Sequence, residues 1–316
     1  MERGSEISAG ARLPQPATQR KLAGAPISWG VCEVPGWGYQ LPPERVLGEM
    51  ASLGLSATEL GPLGYLSLDP QEVREQLDRF GLGLVAGFVP LVLHDATPQA
   101  ARKSVEGPAR LLAELGAEVL MVAPVLDAAW SAPAQLDEGG WRRLTHNLEL
   151  LTEHVESLGL TLALHPHVDT VVETDEQVER VLAQCDVPVC LDTGHLWIGG
   201  TSPAEFVRCH GERIVHVHLK DVDAQLTARV AARELTLVEA TRGGLFRPLG
   251  RGDAGIAEVV SLLDRHGYER WLVLEQDTTL TGEEPPVGSG PVLDVRESVD
   301  YLASLAPFDP EGNSQP

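Results

Sequence analysis

The sequence predicts an α/β fold, a single-domain (β/α)8 TIM barrel with one insertion after its seventh strand. Eight short apolar segments rich in Val, Leu and Ile alternate with amphipathic segments, which is the pattern of a parallel sheet covered by helices. The chain has 316 residues, and such barrels commonly exceed about 250 residues as one domain. No GxGxxG motif follows the first strand, which disfavours an open dinucleotide-binding sheet.

The predicted strands are short apolar segments that end in polar or turn-forming residues. They are Gly24–Trp29, Ala57–Leu60, Leu84–Val89, Val119–Ala123, Thr161–His165, Val189–Asp192, Ile214–Leu219 and Trp271–Glu275. The predicted helices show apolar residues at helical spacing. They are Pro43–Leu53, Pro70–Phe80, Ala100–Leu115, Trp141–Leu158, Asp175–Ala183, Pro203–His210, Ile256–His266 and Val292–Leu305. The insertion spans Ala224–Leu249, with a helical core at Gln225–Thr241, and insertions at this place often act as lids over the barrel mouth.

Composition restricts the classes of partner and the compartment. The net charge of −22 argues against nucleic acid and against an acidic membrane surface, because both attract basic proteins. The four cysteines form no CxxC pair, no signal segment opens the chain, and no apolar segment approaches a membrane span. We therefore expect a cytoplasmic protein with free thiols that acts on a small molecule. The outer helices of a barrel are also compatible with a homo-oligomer.

The two ends of the chain differ in composition from the part between them. Residues 1–21 are polar and rich in Gly, Ala, Pro and Gln, and residues 307–316 read PFDPEGNSQP. Both are predicted to be disordered tails, which leaves residues 22–306 as the barrel domain.

Polar residues end several of the apolar strands, where barrel enzymes place their catalytic groups. Those at the predicted mouth are Glu59, His165, Asp192, His195, His216, His218, Lys220 and Glu275. Because strand residues two apart share a face, His216, His218 and Lys220 point the same way. A convergence of five groups on one space is then expected: Glu59, His165, Asp192, His218 and Glu275.

One such residue alone has an ordinary structural explanation. A single strand histidine is more often a hydrogen-bonded core residue than a ligand, and the same holds for one strand-terminal carboxylate. Five on different strands of one barrel favour a metal or catalytic site, since a divalent cation satisfies several buried charges at once. A mixed set of imidazoles and carboxylates suits Mn²⁺, Co²⁺, Fe²⁺ or Zn²⁺ better than Ca²⁺. Three further side chains lie just after strand one: Trp29, Cys32 and Trp37. The sequence favours neither a place in the pocket wall nor ordinary packing for them.

These motifs resemble those of the xylose-isomerase-like barrel family of sugar isomerases, epimerases and dehydratases. The resemblance covers roughly residues 25–305 and lies in TELGP, LALHPHVDTVVET, CLDTGHLWIGG, IVHVHLKDV, GGLFRPLGRGD and WLVLEQD. The combination of LDTGH with HVHLKD is fairly specific. Within the family the chain is most similar to the inosose dehydratases of inositol catabolism.

The resemblance implies a metal site and its ligands. Asp192, His218 and Glu275 match family ligands. His165 falls where many family epimerases have a ligand glutamate in an EP pair, whereas this chain has HP, and His165 is the fourth expected ligand. Two facing glutamates serve a two-base epimerisation, so this departure favours a dehydratase. The expected cofactor is Mn²⁺ or Co²⁺, and Mg²⁺, Fe²⁺ and Zn²⁺ are compatible.

The reaction implied is the removal of the proton α to the ketone of an inosose (2-keto-myo-inositol) and expulsion of the β-hydroxyl. Glu59 or His165 is the predicted base, Glu275 is a further catalytic residue, and Lys220 is predicted to polarise a hydroxyl or offset enolate charge. The predicted substrate contacts are His167, His195, His216, Trp29 and Arg251.

Three other functions remain open from the sequence. A metal-dependent sugar or inosose isomerase or epimerase would leave the total unsaturation of its substrate unchanged. A family endonuclease on abasic DNA is disfavoured by the net charge of −22. A non-catalytic sugar-binding barrel would bind its ligand without metal and leave it intact.

Overall fold

The structure, a computed structural model, describes residues 20–34, 36–131 and 135–306. In these residues, eight parallel strands close into a barrel in the order β1-β10-β7-β6-β5-β4-β3-β2, and β2 pairs with β1. The strands are β1 (Lys21–Gly24), β2 (Ala57–Glu59), β3 (Gly83–Leu91), β4 (Val119–Pro124), β5 (Thr161–Leu164), β6 (Val189–Asp192), β7 (Ile214–Leu219), β8 (Asp221–Val222), β9 (Phe246–Arg247) and β10 (Trp271–Leu274). Strands β8 and β9 form a separate antiparallel ribbon. The predicted fold class is confirmed.

Helices surround the barrel and cover its strands. They are α1 (Pro43–Ser52), α2 (Pro70–Phe80), α3 (Pro98–Glu114), α4 (Glu138–Glu156), α5 (Asp175–Gln184), α6 (Thr193–Ile198), α7 (Pro203–His210), α8 (Ala224–Ala231), α9 (Leu237–Arg242), α10 (Ile256–Arg265) and α11 (Pro291–Ser304). The predicted bounds of α2 and α7 are confirmed. Helix α4 begins three residues before its predicted start because Asp137 caps it, accepting a hydrogen bond from the Gly140 N–H at 2.6 Å.

The first strand differs from its prediction. It covers Lys21–Gly24, and the predicted range Gly24–Trp29 instead becomes a 3₁₀ turn at Pro26–Trp29. Proline has no N–H for a strand ladder, and it is well suited to the first position of a helical turn. Strand β1 itself begins at Lys21, which is the last residue of the predicted N-terminal tail. The rest of that tail, apart from Arg20, lies outside the described residues, as does the predicted tail at 307–316.

Helix α6 was not predicted. It begins directly after β6, and the Asp192 carboxylate caps it by accepting hydrogen bonds from the N–H groups of Gly194 at 2.9 Å and His195 at 2.8 Å. Aspartate is a favourable N-cap because its oxygen satisfies helix N–H groups that otherwise lack partners. The motif LDTGH therefore ends a strand and starts a helix within one residue.

The insertion after β7 is confirmed, but its helical core is two helices rather than one. Helices α8 and α9 are separated at Arg233, whose φ of 58° is incompatible with a continuous helix. Thr236 then caps α9 together with Glu239. Strand β8 precedes the two helices in the chain and strand β9 follows them, and the two strands pair with each other.

Two further expectations are tested by the fold. All four cysteines are unpaired, which confirms the prediction of free thiols. In the part of the chain that the structure describes, no helix combines the length and the apolar character that crossing a membrane requires.

Candidate active site

A cavity of about 540 Å³ opens at the carboxyl ends of the barrel strands. Its deep end is formed by polar side chains: Glu59, His165, His167, His218, Lys220, Glu275 and Asp277. This is the end of a barrel at which loops and strand termini combine to form active sites.

The deep-end residues face inward because of the two-residue period of the strands. Four residues of the apolar cluster inside the barrel are Ala57, Ala163, Cys190 and Val273. Two positions further along lie Glu59, His165, Asp192 and Glu275. These four continue the same inward faces, so they form the next layer towards the mouth. Pairing of β6 with β7 then places Asp192 beside His218.

The carboxylates of Asp192 and Glu275 lie against imidazole nitrogens of His165 and His218. Asp192 Oδ2 lies 3.4 Å from His165 Nε2 and 3.4 Å from His218 Nδ1. Glu275 Oε2 lies directly against His218 Nδ1. Donor atoms about 2.1 Å from a tetrahedral metal are themselves separated by roughly 3.4 Å. The two separations at Asp192 therefore fit a shared divalent cation.

The bonding state of the donors supports the same conclusion. Although His218 Nδ1 and Glu275 Oε2 lie against each other, both atoms are buried and neither makes a hydrogen bond with the described residues. Buried polar atoms are nearly always hydrogen-bonded, and leaving one unpaired costs free energy. A cation would satisfy both atoms. Asp192, His218 and Glu275 also place ligand atoms within 4.8 Å of one another, so the residues fit the metal that the sequence predicts.

Glu59 contacts two imidazoles of β7. Its Oε1 accepts hydrogen bonds from His216 Nε2 at 2.7 Å and His218 Nε2 at 2.8 Å. Burial by itself raises the pKa of Glu59, but the adjacent His218 and His216 outweigh burial and hold this pKa well below its usual range. In the neutral tautomer whose Nε2–H is donated to Glu59, the lone pair of His218 lies on Nδ1, which faces the other donors. A carboxylate partner of this kind orients a metal-binding histidine and fixes its tautomer.

Lys220 is fully buried among carboxylates. Its ammonium lies 2.8 Å from Asp277, 3.4 Å from Asp192 and 3.5 Å from Glu275. Burial alone lowers the pKa of Lys220, but the charges of Asp192 and Asp277, followed by that of Glu275, raise it well above its usual value. Burial also raises the pKa of Asp277 to about 6, against the opposing effect of Lys220. The site thus contains a fixed positive charge.

His167 and His195 pack against each other beside Lys220 with tilted rings. Their ring centroids are 3.6 Å apart, and Lys220 Nζ lies 3.0 Å from His195 Nε2. Burial lowers the pKa of His167 well below its usual value, as do the charges of His165 and Lys220. His167 Nδ1 is 2.6 Å from the carbonyl oxygen of Val168. A carbonyl only accepts hydrogen bonds, so Nδ1 carries the proton and Nε2 carries the lone pair.

The structure brings most of the sequence-predicted residues together. Glu59, His165, His167, His218, Lys220 and Glu275 line the cavity. Asp192, His195 and His216 are buried directly behind the residues that line it. His195 and His216 therefore contact other side chains of the site rather than the cavity into which they were expected to project.

Two predicted substrate contacts are corrected. Trp29 is the last residue of the 3₁₀ turn after β1 and is fully buried in the core, where its indole N–H donates to Glu49 of helix α1 at 2.9 Å. Arg251 is 69% exposed and pairs with Glu297 on helix α11. Neither residue lines the cavity.

Other residues of the cavity were not predicted as part of the site. Asp277 lies two positions after Glu275, so the alternation that identified Glu275 also indicated Asp277. Phe88 and Trp130 line the wall beside His167. Thr236, Leu237 and Val238 reach the cavity from the insertion. Their place depends on how the loops fold over the mouth, for which the sequence carries no local signal.

The fold and the site define a (β/α)8 barrel with a buried centre of imidazoles and carboxylates suited to a divalent cation. The chain belongs to the xylose isomerase-like TIM barrel family, whose model matches residues 47–305. The family resemblance of the sequence motifs is thereby confirmed.

Individual relatives share much of the chain. It is 30% identical over 294 residues to the inosose dehydratase of Geobacillus kaustophilus, covering 89% of this chain and 93% of that protein. It is 30% identical over 295 residues to the rhizopine catabolism protein MocC of Rhizobium meliloti, covering 90% and 88%. Among solved structures, D-allulose 3-epimerase from Methylomonas sp. superposes with a TM-score of 0.67 at 13% identity, covering 91% of this chain and 97% of that one. This last similarity concerns the fold alone.

Proposed function

We propose that the protein is a metal-dependent dehydratase of a cyclic keto-polyol, with an inosose such as 2-keto-myo-inositol as the substrate class. The observation that carries the proposal is the cluster of donor atoms of Asp192, His218, Glu275 and His165 at the deep end of the cavity. The inosose dehydratase of Geobacillus kaustophilus, 30% identical, supports the reaction type.

Those four residues would hold the cation. When bound, a divalent cation supplies Lewis-acid polarisation of the substrate's carbonyl group. Its identity is proposed as Mn²⁺ or Co²⁺, because a mixed nitrogen and oxygen donor set suits these ions, and Mg²⁺, Fe²⁺ and Zn²⁺ remain compatible.

The geometry favours a different role for Glu59 than the sequence did, and for His165 it favours one of the two roles that the sequence predicted. Glu59 is proposed as a positioning residue, because one of its oxygens already binds His216 and His218. His165 faces Asp192 and is proposed as a ligand. His167 is then proposed as the base, because it lines the cavity and its Nε2 carries the lone pair.

The reaction balances without an oxidant or reductant. His167 Nε2 takes the proton from the carbon α to the ketone, and a carbon–carbon double bond forms as the β-carbon–oxygen bond breaks. The hydroxyl leaves as water after it receives from His167 Nε2 the proton that was taken from the α-carbon. Lys220 offsets the negative charge that develops on the carbonyl oxygen, because its ammonium lies at the cavity wall. The enol product tautomerises to a dione.

The test combines elemental mass spectrometry with an ultraviolet assay on 2-keto-myo-inositol and added Mn²⁺ or Co²⁺. We expect about one metal per chain, a new absorbance band, and loss of both with a chelator. His218→Ala should lose the metal, whereas His210→Gln should keep it, since His210 pairs with Glu179 on the barrel exterior.

Other outcomes would separate the alternatives. Product formation without a new absorbance band would indicate an isomerase or epimerase. No metal in the wild type under any condition would contradict the proposed site and favour a binding barrel. A cytoplasmic location and a homo-oligomer stay predictions.

A further inference from the structure

The outer part of the cavity has a different chemical character from its deep end. Its wall is formed largely by apolar side chains: Val34, Leu63, Phe88, Trp130, Leu237 and Val238. They come from three loops, from strand β3 and from the insertion, so they surround the opening rather than forming one side of it. A ligand whose deep part meets the polar residues therefore has its opposite part against apolar groups.

Trp130 is held in the wall by a turn with an unusual backbone. Its φ is 55°, a left-handed conformation that is uncommon for a bulky residue other than glycine. The Asp127 carboxylate holds the turn by accepting hydrogen bonds from the N–H groups of Ala129 at 2.9 Å and Ser131 at 3.2 Å. Strained residues of this kind persist where the surrounding structure fixes them, and they cluster at ligand sites.

The ring of Trp130 continues an aromatic surface that starts at the metal-binding residues. Its centroid lies 6.4 Å from that of Phe88, with the two rings stacked, and 5.5 Å from that of His167. Phe88 in turn contacts His165 edge-on at 5.5 Å. The apolar wall is thus continuous with the reaction centre.

The cavity is also larger than an unsubstituted cyclitol requires. A six-carbon inosose displaces about six waters of ~30 Å³ each, roughly 180 Å³, whereas the cavity volume is about 540 Å³. A ring with hydroxyls on every side would place some of them against apolar groups without hydrogen-bond partners, which disfavours binding.

We propose that the preferred substrate carries an apolar substituent, an alkyl or aryl group joined through an ether oxygen, on the side of the ring that faces the mouth. This rests on the proposed function, since the keto-polyol end is the part that meets the deep residues. The substituent contacts Trp130, Phe88, Leu63 and Leu237, all of which line the cavity.

The test compares 2-keto-myo-inositol with a panel of its mono-O-methyl and mono-O-benzyl ethers. KM and kcat are measured on the metal-loaded enzyme. Binding of myo-inositol and of its mono-O-benzyl ethers, which are not ketones, is measured by calorimetry. Each buried carbon of the substituent contributes about fourfold to affinity. We therefore expect at least one benzyl ether to bind at least about tenfold more tightly than its parent compound.

Three variants locate the effect. Trp130→Ala and Leu63→Ala should reduce the preference for the benzyl ether. Leu68→Ala is the matched control, because Leu68 lies in the same loop as Leu63, is 68% exposed and does not line the cavity. It should leave the preference unchanged.

The outcomes separate this proposal from the dehydratase proposal. If the unsubstituted compounds bind and react as well as every ether in the panel, the apolar subsite is overturned while dehydration stands. If no ketone is dehydrated but the benzyl ethers still bind more tightly in a way that depends on Trp130, the dehydratase proposal fails and the subsite is supported. An equal effect of Leu63→Ala and Leu68→Ala would contradict the proposed position of the substituent.

Discussion

Replacement of Glu59 by glutamine tests whether this buried carboxylate acts through His218. Its Oε1 accepts two hydrogen bonds, from His216 at 2.7 Å and from His218 at 2.8 Å. A hydrogen bond to a charged group contributes about 1.5–3 kcal/mol, against about 1 kcal/mol for a neutral pair. Glu59→Gln retains at most the neutral bonds, so the free energy of unfolding should fall by roughly 1–4 kcal/mol.

The affinity for the metal is a more informative measurement of the role of Glu59 than the free energy of unfolding. Residues that orient a metal-binding histidine typically change metal affinity by about 10–100-fold when they are replaced, which corresponds to roughly 1.4–2.7 kcal/mol. We expect the Kd for Mn²⁺, measured by calorimetry, to increase by this factor in Glu59→Gln. The physical reason is that the amide no longer fixes the tautomer that leaves the Nδ1 lone pair of His218 facing the donors.

A second buried glutamate supplies the control. Glu49 is 5% exposed and accepts hydrogen bonds from Arg45 at 2.7 Å and from the Trp29 indole at 2.9 Å, outside the site. Glu49→Gln should therefore lower the free energy of unfolding without changing the Kd for Mn²⁺. An unchanged Kd in Glu59→Gln, or an equal change in both variants, would refute the positioning role of Glu59. Complete loss of turnover with an unchanged Kd would return Glu59 to the role of base.

Two further predictions concern the segments that shape the cavity. The Arg233 guanidinium joins the insertion to the loop after β5 through Glu173 at 2.7 Å. Arg233→Gln should accelerate hydrogen exchange across residues 224–243 by about fivefold, roughly 1 kcal/mol after allowance for solvent screening. Asp221 accepts N–H hydrogen bonds from Gly250 at 2.8 Å and Gly252 at 2.9 Å. Asp221→Asn should lower the free energy of unfolding in urea by about 2–4 kcal/mol, because an amide N–H₂ would then face backbone donors.

For each of these two predictions, a different experimental result would contradict the reasoning. Exchange that accelerates throughout the barrel in Arg233→Gln would show general destabilisation rather than release of the insertion. Asp223→Asn is the control for Asp221, since Asp223 caps helix α8 near the surface and its replacement should cost only about 1 kcal/mol or less. Equal losses in the two aspartate variants would contradict the structural role given to Asp221.

The inward-facing residues could be predicted because strand periodicity is local. Asp192, His218 and Glu275 each end or nearly end an apolar segment, and the alternation of side chains fixes the face on which they lie. A closed parallel barrel then brings strand ends together at one mouth. The sequence therefore determined the fold class, the position of the site and its main polar groups.

Which side chain each polar residue of the site contacts could not be predicted in the same way. Glu59 and His218 are 159 residues apart, and their contact depends on the side-by-side arrangement of strands that only barrel closure sets. The direction of Trp29 depends on the turn after β1, and the exposure of Arg251 depends on its pairing with Glu297 on α11.

The sequence by itself determined a barrel with a polar, metal-suited centre, because hydrophobic periodicity and strand-terminal residues are properties of neighbouring positions. Only the tertiary structure decided that Glu59 contacts His216 and His218, that Lys220 lies among three carboxylates, and that apolar residues from separate segments surround the mouth. The physical reason is that hydrogen bonds, ion pairs and cavity walls depend on distances between residues far apart in the chain, and these distances are fixed by packing.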